Sequence, residues 1–122
     1  MERSTVGYKA ENIVRHYLTE KGYEILAHNW RKKWGELDIV TQRDGIIVFV
    51  EVKAGMSVHQ GFDPLLHANR EKMRKVARTA RTYLASCKYP AGQEWQIDVV
   101  ALTFDKEQKS AHIQHFKNIE LT

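Results

Sequence analysis

The sequence predicts an α/β domain: a mixed β-sheet flanked by helices, in the order αβββαβ with one further C-terminal strand. Three observations carry this. Two segments place apolar residues at helical spacing, while the stretches between and after them alternate or run continuously apolar. The run Ile46-Ile47-Val48-Phe49-Val50 is β-branched and aromatic, as a buried central strand requires. Asp44-Gly45 stands between two such runs and is a strong short-range hairpin signal.

The first helix is expected from Ser4 or Thr5, either of which can serve as N-cap, to Lys21. Val6, Ala10, Ile13, Val14, Tyr17 and Leu18 form its apolar stripe, and Gly22 takes the position just past its end. A short strand is expected over Tyr23–Asn29, followed by a basic, aromatic connection, Trp30-Arg31-Lys32-Lys33-Trp34. Gly35–Gln42 alternates polar and apolar and reads as a strand; Ile46–Lys53 is its hairpin partner. Ala54–Leu66, with Gly55, Gly61 and Pro64, reads as a long loop of the kind that often carries function. A second helix over Ala68–Cys87 has Met73, Val76, Ala77, Ala80, Tyr83, Leu84 and Cys87 on one face, which places Cys87 in the core. Trp95–Phe104 and a weaker Ala111–Phe116 complete the strands.

At 122 residues the chain is one domain's worth of sequence, with 43% hydrophobic and 28% charged residues, an ordinary globular composition. A single cysteine excludes an internal disulfide and a Cys-rich zinc site. No run approaches the ~20 apolar residues of a membrane span, and the N-terminal residues lack a secretory h-region. A cytoplasmic protein without a membrane partner is therefore expected. The net charge of +4 permits a nucleic-acid partner without requiring one. Its distribution is more telling. Between Ala68 and Lys88 seven cations face Glu71 alone, a balance of +6. Such a concentration suits a phosphate-facing surface. Arg74, Arg78 and Arg81 fall on one flank of that helix's apolar stripe and Lys72 on the other.

A two-residue turn at Asp44-Gly45 sets Arg43 opposite Ile46, and hence Asp38 opposite Glu51 and Glu36 opposite Lys53. Opposed residues share a face with Cβ atoms about 4.5–5.5 Å apart. Four ionisable side chains would then gather on one patch of a largely apolar sheet. Two opposed carboxylates repel, and a divalent cation between them would remove that cost. Oxygen-only ligands favour Mg2+ or Mn2+ over zinc. An exposed salt-bridge ladder is the alternative for the same residues.

Asp38 followed by Glu51-Val52-Lys53 resembles the D…ExK signature of the PD-(D/E)XK nuclease superfamily. The surrounding words are similar to its YraN-like, UPF0102-type family: Glu11, Tyr23-Glu24-Ile25-Leu26, Asn29-Trp30-Arg31, Gly35-Glu36-Leu37-Asp38-Ile39-Val40, Phe49-Val50-Glu51-Val52-Lys53, Lys72, Tyr83-Leu84 and Asp98-Val99-Val100-Ala101. The resemblance covers Gly7 to Leu102. It implies a restriction-endonuclease-like core and Mg2+- or Mn2+-dependent hydrolysis of nucleic-acid phosphodiesters, with kinship to Holliday-junction resolvases. It implies Asp38 and Glu51 as metal ligands, Lys53 as the catalytic lysine, Glu11 as the acid supplied by the first helix, and Glu36 as a further acid of the site. DNA rather than RNA is the expected partner, and kinship with resolvases, which act in pairs, admits a homodimer. The chain departs from the family pattern at Ala10, at Ala54-Gly55 and at Gln96-Ile97.

Two readings stay open at Trp30 and Trp34: with Arg31, Lys32 and Lys33 they stack bases and hold phosphates, or one fills the core and the other covers a sheet edge. Glu11 lies at the edge of its helix's apolar stripe, where it either reaches toward the sheet or is solvated. His112 and His115, three apart on a strand, point to opposite faces and make no metal pair. His59 and His67 fall in or near the long loop.

Overall fold

The computed structural model describes residues 5–56, 70–105 and 110–119. Its elements are α1 (Thr5–Glu20), β1 (Glu24–Lys32), β2 (Gly35–Arg43), β3 (Ile46–Met56), α2 (Arg70–Ser86), β4 (Trp95–Asp105) and β5 (Ser110–Phe116). The strands form one sheet in the order β1-β2-β3-β4-β5. β3 and β4 are parallel; the other neighbours are antiparallel. Parallel partners need a crossover, and α2 lies in it. This is the expected mixed sheet with its restriction-endonuclease-like element order. Among the described residues no helix is long and apolar enough to cross a membrane.

The helices cover opposite faces. Val14 and Leu18 of α1 are buried with Ile39, Val48, Val50 and Val100. Met73, Val76, Ala77, Ala80 and Tyr83 of α2 are buried with Val40, Ile47, Phe49, Ile97 and Val99. β3 therefore alternates its side chains between two cores, which is why it is apolar throughout. Both helix ends are tied by paired backbone bonds to the last turn. At α1 the Tyr23 amide donates to Leu18 O (2.9 Å) and the Gly22 amide to Thr19 O (3.1 Å), with Gly22 at φ +92°. At α2 the Tyr89 and Lys88 amides do the same to Leu84 O and Ala85 O, with Lys88 in the position glycine usually takes, at φ 59°.

Several expectations need correction. β1 continues through Trp30, Arg31 and Lys32, which pair with Leu37, Glu36 and Gly35, so only Lys33-Trp34 remain as the turn. The basic composition had masked a strand that Trp30 anchors by packing edge-on to Tyr83 at 5.3 Å. β3 runs past Lys53 to Met56, because Ala54, Gly55 and Met56 keep their pairing with β4. Cys87 is exposed, not core: its amide still donates to Tyr83 O at 3.0 Å, but α2 ends at Ser86, and at this last turn the apolar stripe gives way to exposed residues. The remainder of the proposed loop, with His59 and His67, lies outside the described residues.

On the α1 face Asp98 of β4 is fully buried and fully engaged. It accepts from Gln96 Nε2 (2.9 Å) and from the Asn118 amide (2.9 Å), and its Oδ2 meets His115 Nε2 at 2.7 Å. His115 Nδ1 in turn meets the Tyr17 hydroxyl of α1 at 2.9 Å. This chain ties β5 and α1 to the central strands. Burial raises the Asp98 pKa, but its hydrogen bonds outweigh that and hold the carboxyl below the ordinary value.

Gly35 sits where β2 comes closest to α2. A Cβ there would collide with the Thr79 hydroxyl and lie 3.4 Å from Thr79 Cβ. Thr79 is itself fully buried, its hydroxyl donating to Lys75 O at 2.8 Å. Gly35→Ala is expected to lower stability by about 1–3 kcal/mol through overpacking. Adding Thr79→Ala should recover part of that loss in thermal melts; a double variant as unstable as the sum of the two singles would contradict this contact.

Candidate active site

The hairpin register is the one the Asp44-Gly45 turn implies. Arg43 faces Ile46 and the pairing runs to Ile39 opposite Val50, where the ladder ends. The next pair would be Asp38 and Glu51. Here the Val52 amide donates to Asp38 Oδ2 at 2.9 Å. A side-chain carboxylate thus takes the amide that a β2 backbone carbonyl would hold in a continued ladder. The strands part, and a cleft of about 190 Å3 opens, lined by Trp34, Gly35, Glu36, Asp38, Glu51, Lys72, Lys75 and Val76. The opposed Glu36–Lys53 pair expected from the register is not formed in the ladder, although Glu36, Asp38 and Glu51 do share the cleft.

Glu51 is the most constrained of these groups. It is 3% exposed, and its Oε2 lies 3.7 Å from Lys72 Nζ. Burial first, then the charge of Asp38, push its pKa up to about 8 against the pull of Lys72 and Lys53. Lys53 is displaced the other way. Burial and the hydrogen bond with the charged Lys72 lower it to about 8. Lys72 loses some basicity to burial but is raised on balance by the Lys53 amine and by Glu51 and Asp38. The arrangement is a buried carboxyl and a weakly basic lysine near neutrality, beside a lysine that keeps its charge. A buried carboxyl and a lysine displaced toward each other are a pattern that chemical sites share with structural ion-pair networks.

The family model described as "Uncharacterised protein family UPF0102" matches residues 10–102. The chain belongs to the UPF0102 family. A UPF0102 protein of Lachnoclostridium phytofermentans is 38% identical over 102 residues, covering 84% of this chain and 86% of the relative. One from Roseiflexus castenholzii is 36% identical over 116 residues, covering 93% and 90%. Among solved structures, an fdxN element excision controlling factor protein from Anabaena variabilis aligns with 88% of this chain and 97% of its own at 14% identity and a TM-score of 0.38.

In this UPF0102 chain the other anticipated residues divide. Glu11 is 4% exposed on α1, which packs against the opposite face of the sheet from α2, and it does not line the cleft. Arg31 pairs with Glu36 at 3.4 Å at the cleft's edge. Lys32 lies over the Trp30 ring at 5.1 Å, and Lys33 is exposed in the turn. The flank of Arg74, Arg78 and Arg81 is not one patch. Arg78 lies over Trp34 at the cleft, whereas Arg81 lies over Trp95, beside Ile47 at the far end of β3. Arg74 is exposed. Lys72 is drawn into the site itself, which its place on the helix flank did not reveal. Lys75 is a cleft residue that the sequence pattern alone did not single out, and of the two tryptophans whose readings stayed open it is Trp34 that lines the cleft.

The resemblance of Asp38 and Glu51-Val52-Lys53 to the D…ExK signature implies a divalent cation, and the donors present would suit a hard one. Asp38 and Glu51 are carboxylates from adjacent strands whose charges oppose each other, and Glu36 shares their cleft. Among the described residues no three acidic, histidine or cysteine side chains form a ready-made metal group. Two protein carboxylates with the remaining oxygens supplied by water or phosphate is how Mg2+ is commonly held.

A stability test follows from Glu51. Its folded pKa lies above its value of 4.5 in the unfolded chain. The folded state therefore holds a proton the unfolded state has lost, and stability falls as pH rises from about 4.5 to about 8. Glu51→Gln removes that penalty. Its melting temperature should match wild type near pH 4 and exceed it increasingly toward pH 8, in metal-free buffer. An advantage that did not grow with pH would contradict the assigned burial.

Proposed function

We propose that this protein is a metal-dependent nuclease that hydrolyses DNA phosphodiester bonds, with branched or flapped DNA as its preferred substrate. The observation that carries the reading is the convergence of Asp38, Glu51, Lys53 and Lys72 where the β2–β3 ladder opens. Asp38 and Glu51 would hold Mg2+ or Mn2+. A bound divalent ion supplies positive charge for the developing phosphorane and acidifies a coordinated water.

The chain's own groups account for the rest. The Val52 amide fixes the Asp38 carboxylate, so its orientation costs nothing when substrate arrives. Lys53, titrating near 8, can accept a proton from a water or return one to the leaving oxygen close to neutral pH. Lys72 keeps its charge and offers it to a phosphate oxygen beside Glu51. Lys75 adds a second cation on the same wall of the cleft. Arg78 lies at its rim over Trp34.

One observation favours a second reading, a nucleic-acid-binding module without catalysis. Lys72 already lies against Glu51 and could neutralise the carboxylates in place of a metal. The two readings separate in a cleavage assay with Mg2+ or Mn2+ on single-stranded, duplex, flapped and four-way-junction DNA. The nuclease predicts cleavage by wild type and at least a 100-fold loss in Asp38→Asn and Glu51→Gln, with melting temperatures that show both variants folded. It also predicts that Mn2+ raises the wild-type melting temperature and leaves that of Glu51→Gln nearly unchanged. Salt-dependent DNA binding with no product under any divalent ion would establish the module instead.

A further inference from the structure

Trp34 is the one large hydrophobic residue that stays exposed among the described residues, at 40%. A single exposed apolar side chain is ordinary; its surroundings are what matter here. Trp34 lines the same cleft as Glu36, Asp38, Glu51, Lys72 and Lys75. The Arg78 guanidinium lies 4.9 Å from its ring centre. Lys33 is exposed beside it in the turn.

The turn that carries the indole is tied to the core on its C-terminal side. Lys32 pairs with Gly35 across the turn, and Gly35 packs directly against Thr79 and the Lys75 carbonyl of α2. The other tryptophan of the segment, Trp30, is spent on the core against Tyr83. The chain thus sets a flat, partly open ring at the rim of a carboxylate cleft, with the Arg78 guanidinium over it, Lys33 beside it in the turn, and Arg31 paired with the nearby Glu36.

A ligand that complements both features has an anionic backbone and an accessible π-face. A nucleotide with an unpaired base has both. A base-paired duplex offers its phosphates but keeps its base faces stacked on one another. We propose that Trp34 is a base-stacking platform, which restricts the cleft to DNA carrying an unpaired nucleotide next to the phosphate bound there: a single strand, a flap or a branch point. This rests on the reading of the cleft as a phosphodiester site and names the feature of the substrate that would select it. Arg78, stacked on the ring, serves both the platform and the adjoining phosphate.

The test is equilibrium binding, with no turnover, of labelled single-stranded, flapped and blunt duplex DNA by fluorescence anisotropy in EDTA. Wild type is compared with Trp34→Phe and Trp34→Leu. Both variants should fold, because the side chain is a surface one, and melting curves verify it. Base stacking predicts that Trp34→Leu weakens single-strand and flap binding by about 5- to 100-fold. Trp34→Phe should retain most of the affinity, and blunt-duplex affinity should change less than about twofold in either variant. Equal loss on all three DNAs would overturn the platform, as would no loss in Trp34→Leu. Wild type that binds no DNA would overturn it too. So would unchanged DNA affinity accompanied by loss of self-association in sedimentation, which would make Trp34 a contact between copies of the chain.

The outcome is separable from that of the nuclease reading. Cleavage by wild type with an indifferent Trp34→Leu would remove the platform and leave the nuclease. Single-strand binding that depends on the indole, without cleavage under any metal, would leave the platform and remove the nuclease.

Discussion

The hydrogen bond from the Val52 amide to the Asp38 carboxylate decides the shape of the site. A continued hairpin would have closed β2 onto β3 and left Asp38 and Glu51 as an ordinary cross-strand pair. Because the side chain takes the amide, the backbone ladder stops at Ile39 and Val50 and the two strands separate. That separation opens the cleft and lets α2 bring Lys72 to Glu51 from above the sheet. It also holds a second carboxylate close to Glu51, which adds to the burial that already keeps this acid reluctant to ionise. One bond therefore sets the position of Asp38 and the end of the ladder, and contributes to the proton affinity of its neighbour.

Asp98 shows what a buried carboxylate looks like when its role is structural. It is the partner of Val50 across the parallel β3–β4 pair, one register step from Glu51, and it points to the α1 face. Gln96, Asn118 and His115 satisfy it, and its pKa falls. Glu51 is buried as deeply, is crowded by another carboxylate, and its pKa rises. The sheet divides its work by face. The α1 side uses a buried acid to tie β5 and α1 to the core, and the α2 side keeps one crowded by a second carboxylate and partnered by Lys72.

Much of this was legible in the sequence because it depends on short-range rules. Asp44-Gly45 sets the hairpin register without tertiary information, and the apolar stripes of α1 and α2 follow from period alone. What escaped needed three dimensions. The break at Asp38 is a competition between a side chain and the backbone for one amide, which no alternation pattern encodes. Lys72 reads in the sequence as one cation of a phosphate-facing helix, because its approach to Glu51 depends on how α2 lies across the sheet. The basic run through Arg31 and Lys32 hid a strand, since an edge strand can carry cations on its exposed positions. Cys87 obeyed the helical period, but the helix ended one residue before it. The Asp98–His115–Tyr17 chain joins residues that are far apart in sequence, and no local signal marks it.

The cleft is a costly thing for a small domain to keep. Glu51 is buried with a second carboxylate nearby, and Lys53 gives up part of its basicity to remain beside Lys72. A fold selected only for stability would replace these groups with apolar ones, since exchanging buried charges for hydrophobic packing is often neutral or stabilising. Around them the packing is tight: Phe49, Val50 and Val99 are almost fully buried, and Gly35 leaves no room for a methyl group against Thr79. The electrostatic cost is concentrated at one opening in the sheet. Such a concentration is what a functional site requires. The same opening is where, among the described residues, the exposed indole stands, so the groups that would act on a phosphate and the group that would select the base beside it gather at one cleft between β2, β3 and α2.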